Sequence, residues 1–160
     1  MDNFKSPSKY DFKLKAEECF KSVFFSSIAS TDGINVWNSI LWLAKDENWN
    51  LYFRSKPGRN HILNIAKNNN VSIAIYDSKQ IDSITGLQIT GTAEVLNSAQ
   101  DIEKAMKYYH NDKNEISNIY TEDDAKYVLV KITPVRVFIY DQSRLGDNRV
   151  EIMLKDLRAS

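Results

Sequence analysis

Cysteine is almost missing from this chain. A single one, Cys19, occurs among 160 residues. That excludes an internal disulfide framework and predicts a reducing, cytoplasmic setting. Histidine is nearly as scarce, with only His61 and His110, so no His/Cys metal centre is expected. Net charge is absent too: 21 basic residues balance 21 acidic ones. No global field therefore draws nucleic acid or a membrane surface. No apolar run is long enough to span a bilayer. The opening Met1-Asp2-Asn3-Phe4-Lys5 lacks the apolar stretch of a signal peptide. Internal repeats and low-complexity tracts are lacking as well. The chain is 42% hydrophobic, enough for one domain over residues 1–160 with its own core, residues 1–9 being polar and frayed.

Glycine and proline are few, five and three, so each one present reads as punctuation. The most informative falls in Leu51 to Asp77, LYFRSKPGRNHILNIAKNNNVSIAIYD. Leu51 to Ser55 is a β-prone run. Lys56-Pro57-Gly58 breaks it, because proline fixes φ and glycine permits φ > 0. Asn60 is placed to cap a short helix with Ile62, Ile65 and Ala66 on its apolar side. Asn68-Asn69-Asn70 ends that helix, and Val71, Ile73 and Ile75 alternate into another strand. Arg54, Lys56, Arg59 and His61 cluster where the helix begins. Free backbone N–H groups and the positive end of the helix dipole lie in the same place, which favours an anion such as phosphate. Two readings compete: a solvated basic loop that binds nothing, and a phosphate cradle for a nucleotide-like cofactor.

The rest of the chain supplies mostly strands. A helix is predicted from Tyr10, with Phe12, Ala16, Cys19, Phe20 and Val23 on one face and Cys19 read as core. Phe24 to Ser30 reads as a strand, Thr31-Asp32-Gly33 as a hairpin turn and Asn35 to Ala44 as a second strand. After a polar turn, Leu51 to Ser55 is expected to return antiparallel to that second strand, making a meander. A polar loop, Ser78 to Thr85, follows Asp77. Leu87, Ile89, Gly91, Ala93 and Val95 share one strand face; Gln88, Thr90, Thr92 and Glu94 share the other. Ser98 and Asp101 form a short capping box for a helix that buries Ile102, Ala105, Met106 and Tyr109 and ends at His110. Asn111 to Asp124 is a polar connection. Tyr127 to Ile132 and Val135 to Tyr140 flank Pro134, where a bulge or strand switch is expected. Val150 to Leu154 is a last short strand. At least six β-prone runs with marginal helices predict a mainly β, antiparallel barrel.

The ordered set of motifs resembles the pyridoxamine 5′-phosphate oxidase-like family of flavin-binding split barrels. The resemblance rests on Phe53-Arg54-Ser55, Arg59, His61 and Asn68-Asn69-Asn70-Val71, and on Gly86-Leu87-Gln88-Ile89-Thr90-Gly91-Thr92-Ala93-Glu94-Val95. It covers roughly residues 20 to 155. It implies a Greek-key split barrel with flanking helices and a homodimer with flavin in clefts between subunits. The implied cofactor is FMN, and the implied site comprises Trp37, Asn38, Ser39, Phe53, Arg54, Ser55, Arg59, Asn60, His61 and Gln88. Trp37 and Phe53 would wall the ring, and Gln88 would cross to the other subunit's cofactor. Trp37 as ordinary core, and Asn38, Ser39 and Gln88 as exposed strand residues, are the plainer alternatives. Members with the namesake activity carry Arg near Asn38 or Ser39, and Lys near Ala44. Arg54 and Arg59 are expected to replace that charge. The substrate-holding R-x-H is also missing, the region reading Asn148-Arg149-Val150-Glu151. The expected activity is thus flavin-dependent oxidoreduction of a small molecule, with a nicotinamide donor as a further partner, and not the namesake reaction. A deazaflavin- or haem-binding barrel and a non-catalytic barrel remain as alternatives.

Overall fold

The computed structural model describes residues 9–77, 84–113 and 127–158. The expected frayed start, apart from Lys9, lies outside them, as do most of the 78–85 loop and of the 111–124 connection. In chain order the elements are α1 (Lys9–Ser22), β1 (Phe25–Thr31), β2 (Val36–Trp42), β3 (Ala44–Lys45), β4 (Leu51–Ser55), α2 (Asn60–Lys67), β5 (Asn70–Asp77) and β6 (Thr85–Val95). They continue with α3 (Ala99–Lys113), β7 (Val128–Asp141), α4 (Gln142–Leu145), β8 (Val150–Ile152) and α5 (Leu154–Leu157). All strand pairs are antiparallel. The sheet runs β2-β1-β5-β6-β7-β4-β3, with β8 on β7. The non-sequential pairs β1·β5 and β4·β7 are the Greek-key crossings, and the fold is the expected split barrel.

The two ends of that path are consecutive in sequence, and here the expected meander is corrected. The run 35–44 is two strands. Val36 to Trp42 pairs with β1 at every position, whereas Ala44 and Lys45 pair with Tyr52 and Leu51 of β4. β4 finds its long partner in β7, from Leu51 opposite Ile132 to Ser55 opposite Val128. Leu43 is the corner. It is fully buried and donates its N–H to the carbonyl of Phe24 at 2.9 Å. Burying that side chain turns the chain from one edge of the sheet to the other and curls the sheet.

Inside the curl the alternating side chains interlock: Ile28, Phe53, Ile73, Ile75, Leu87, Ile89, Val130, Ile132, Val137 and Ile139 are each at most 1% exposed. Helix α1 covers one end with Phe12, Ala16, Cys19 and Phe20, all buried. Phe20 stacks on Trp49 with centroids 4.0 Å apart. Lys45 Nζ donates to the carbonyls of Phe20 and Val23, holding the C-terminal turn of α1 and the residue beyond it. The turn before β4 is tied by buried Asp46, which accepts the N–H groups of Asn48 and Asn50 and the Tyr52 hydroxyl, all at 2.8–2.9 Å. Helix α3 opens on the expected capping box, the N–H of Asp101 donating to Ser98 Oγ at 3.0 Å. It runs on past His110 to Lys113 and packs Ala105 and Tyr109 over Ala44, Tyr52 and Leu129, on the outer side of the sheet.

Pro134 does not interrupt β7; the strand is continuous and bulged. Opposite Gly91 stands Pro134, and opposite Thr90 stands Arg136, so Val135 is the extra residue, 57% exposed. Gly91 belongs there for lack of room. A Cβ on it would lie 2.6 Å from the carbonyl oxygen of Thr133, which is backbone. Gly91→Ala should lower stability by about 2 kcal/mol, read as a lower urea midpoint, because the bulge must shift to admit one methyl.

Candidate functional site

Strand alternation decides which of the candidate residues can meet. In β4 the side chains of Phe53 and Ser55 point inward, while Tyr52 and Arg54 point outward. Arg54 therefore leaves the bend. Its guanidinium lies over the rings of Tyr127 (4.7 Å) and Tyr109 (5.4 Å) on the α3 side of the sheet. In β2, Trp37 and Ser39 share the side of Ser30 and Ile28, with which they pair. Asn38 faces the other way and accepts a 2.8 Å hydrogen bond from Ser27 Oγ. Gln88, on the outer side of β6, accepts from Arg149 Nε at 2.6 Å. Arg54, Asn38 and Gln88 are thus outside the cluster that the remaining candidates form.

That cluster centres on His61. Helix α2 begins one residue earlier than the capping expectation places it. Arg59 is the N-cap residue and Asn60 the first helical one, and no side chain caps the turn. The helix buries His61, Ile62, Asn64 and Ile65. Ala66, expected on that face, is exposed. His61 is 6% exposed. Both of its ring nitrogens are engaged: Nδ1 with Ser39 Oγ at 3.0 Å, Nε2 with Ser55 Oγ at 2.7 Å. Phe53 meets the imidazole edge-on at 5.7 Å between centroids. One histidine thus ties β2, β4 and α2 together. Arg59 and Asn60 stand exposed at the start of the helix, and Lys56 is exposed in the bend before them. Trp37 is 48% exposed, two residues from Ser39 on the same side of β2, so it is not core. Phe53, at 1%, is.

Burial pushes the His61 imidazole below its usual value of 6.5, and the Arg59 charge pushes it further the same way. The ring is neutral at pH 7, one nitrogen accepting from a serine hydroxyl and the other donating to one. The unfolded chain binds a proton more readily than the folded one, so this group's contribution is complete above about pH 6.5 and is lost as pH falls through the lower folded value. Urea midpoints should fall from pH 7.5 towards pH 5, and His61→Gln should flatten that part of the profile.

Asn64 was not legible as a site neighbour. Its side chain, buried beneath α2, donates to Ser30 Oγ at 3.3 Å. The available signal is His61 and Asn64 at i and i+3, each followed by a buried isoleucine, polar groups on an apolar face. Chemically, the bend offers hydroxyls, an imidazole, an exposed guanidinium and an uncapped helix start, all donors or potential donors suited to an anion. Among the described residues no group of three or more His, Cys, Asp or Glu is placed to hold a metal. No helix among them is long and apolar enough to cross a membrane.

The sequence profile described as pyridoxamine 5′-phosphate oxidase matches residues 13–141. No curated protein sequence matches the chain. Among solved structures, a haem-binding protein from Mycobacterium smegmatis superposes with a TM-score of 0.70 at 15% identity, over 93% of this chain and 59% of that one. An FAD-binding protein from the same organism gives 0.62 at 17% identity, over 84% and 95%. An FAD-binding protein from Mesorhizobium loti gives 0.64 at 17%, over 80% and 93%. At such identities the likeness is one of fold.

Proposed function

The chain belongs to the pyridoxamine 5′-phosphate oxidase family, and from that premise we propose that it binds FMN and works as a flavin-dependent oxidoreductase on a small molecule. The observation that carries this reading is the His61 cluster at the uncapped start of α2, with Arg59 exposed beside it. Arg59 supplies a fork of donors that suits a phosphate, and Ser39, Ser55 and His61 supply hydroxyl and imidazole groups at the same bend. Trp37, half exposed on the His61 side of β2, offers an apolar wall for a ring. When bound, the flavin would supply two-electron redox chemistry, and the chain's part is to hold its phosphate and shield its ring.

A homodimer is part of the proposal. Val36 and Ile40 on β2, Ile34 in the turn before it and Val135 at the bulge are large apolar residues more than half exposed. Val36, Ile40 and Val135 share the outer side of the sheet that α3 leaves open, as a contact surface would. A cytoplasmic setting fits the lone buried Cys19. The namesake reaction is disfavoured by the missing C-terminal histidine, Arg149 being followed by Val150 and Glu151. Haem is the second reading, prompted by the similar haem-binding fold. It fits less well, because both nitrogens of His61 are engaged by serines and neither is open to iron. The test is the visible spectrum of the protein as purified, followed by titration with FMN. Flavin bands near those of free FMN, or saturable binding of added FMN, support the reading; a haem band or no binding contradicts it.

A further inference from the structure

We propose that His61 and its two serines form a proton-driven donor switch: an arriving phosphate group draws a proton from solvent onto His61, and both hydroxyls then turn to donate outward. This rests on the phosphate reading given above and adds how the site answers its ligand. A serine hydroxyl has one proton to give and can accept as well. With His61 neutral, its basic nitrogen takes the proton of one serine, so only the other hydroxyl is free to donate elsewhere. With His61 protonated, both nitrogens are donors. Ser39 Oγ at 3.0 Å and Ser55 Oγ at 2.7 Å both become acceptors. Each then has its own proton free for an anion. One proton gained thus brings the ligand a positive charge and one more hydroxyl donor. No covalent bond between heavy atoms is made or broken.

The surroundings leave the ligand as the source of the compensating charge. β1 and β2 carry no ionisable side chain. Those of β4, Tyr52 and Arg54, point to the opposite side of the sheet. Glu94, the acid of β6, is on the outer side and pairs with Lys131 at 3.8 Å. On α2 itself, Lys67 at the far end meets Asp32 at 3.7 Å. Lys56, in the bend, has its ammonium 5.8 Å from the Tyr127 ring centroid. The Arg59 charge opposes protonation, in line with the neutral ring of the free protein. A dianionic phosphate beside Arg59 cancels that opposition and reverses it.

The test is calorimetric titration of the full chain with FMN at pH 7.5, in buffers of different ionisation enthalpy. At that pH the phosphate, with its second pKa at about 6, is already a dianion and adds little to the proton count. The expected slope corresponds to nearly one proton taken up per FMN, that is, about one per site. Riboflavin, which lacks the phosphate, should give no slope. His61→Gln should bind FMN more weakly with no slope, and Ser39→Ala should bind with the slope retained but with lower affinity. FMN binding with no slope in the unaltered protein overturns the switch and leaves the phosphate reading standing. The same slope in His61→Gln also overturns it. No binding of FMN at all overturns both.

Discussion

Replacing Arg59 and His61 of the bend together, Arg59→Ala with His61→Gln, should weaken FMN binding by roughly two to four orders of magnitude. Each charge-assisted contact to phosphate contributes about 1.5–3 kcal/mol, so the pair should cost about 3–6 kcal/mol. Glutamine is the informative replacement at His61. It can still give and take hydrogen bonds between Ser39 and Ser55, which hold β2 and β4 to α2, but cannot become a cation. The loss should fall on the phosphate alone. Riboflavin affinity should change far less than FMN affinity in the same variant. Equal losses for both ligands would mean that the substitutions distort the ring site, and that the phosphate does not lie at this bend.

Phe53→Ala should be the most destabilising change among the candidate residues, by about 3–5 kcal/mol, lowering the melting temperature by roughly 10 °C. The side chain is 1% exposed within the main core cluster, and it also meets the edge of the imidazole. Deleting it leaves a ring-sized void in the barrel interior that neighbouring β-branched residues cannot fill without leaving their rotamers. The resemblance to the flavin family suggests Phe53 as a wall for the ring; its burial makes it part of the core. Scanning calorimetry separates the two roles. A variant that melts unchanged but loses FMN would restore the ring-wall role, whereas a large drop in melting temperature confirms the interior one.

Phe53 illustrates what could be read from the sequence. Alternation along β6 was plain, because its apolar side chains bury on one side, and Leu87, Ile89 and Ala93 are buried as the pattern requires. The Ser98–Asp101 cap and the bulge at Pro134 were legible for local reasons of hydrogen bonding. The split at Leu43 was not. β2 and β3 together look like one apolar run, and only the long-range demand to close the sheet sets the corner. Arg54 and Arg59 are near in sequence and read as one basic group, although strand alternation already separates Arg54 from Phe53 and Ser55. The Ser39–His61 contact spans 22 residues. It depends on α2 lying across β1 and β2, a packing choice that no local pattern announces. Both partners were legible as candidates, but not the link between them.

The proposed function rests on the position of one phosphate group. A crystal structure of the protein with FMN at saturating concentration measures it directly. The phosphate should lie at the start of α2, within hydrogen-bonding distance of the Arg59 guanidinium and of at least one of Ser39, Ser55 and His61. A phosphate seated on any other part of the barrel, with Arg59 left in solvent, would contradict it.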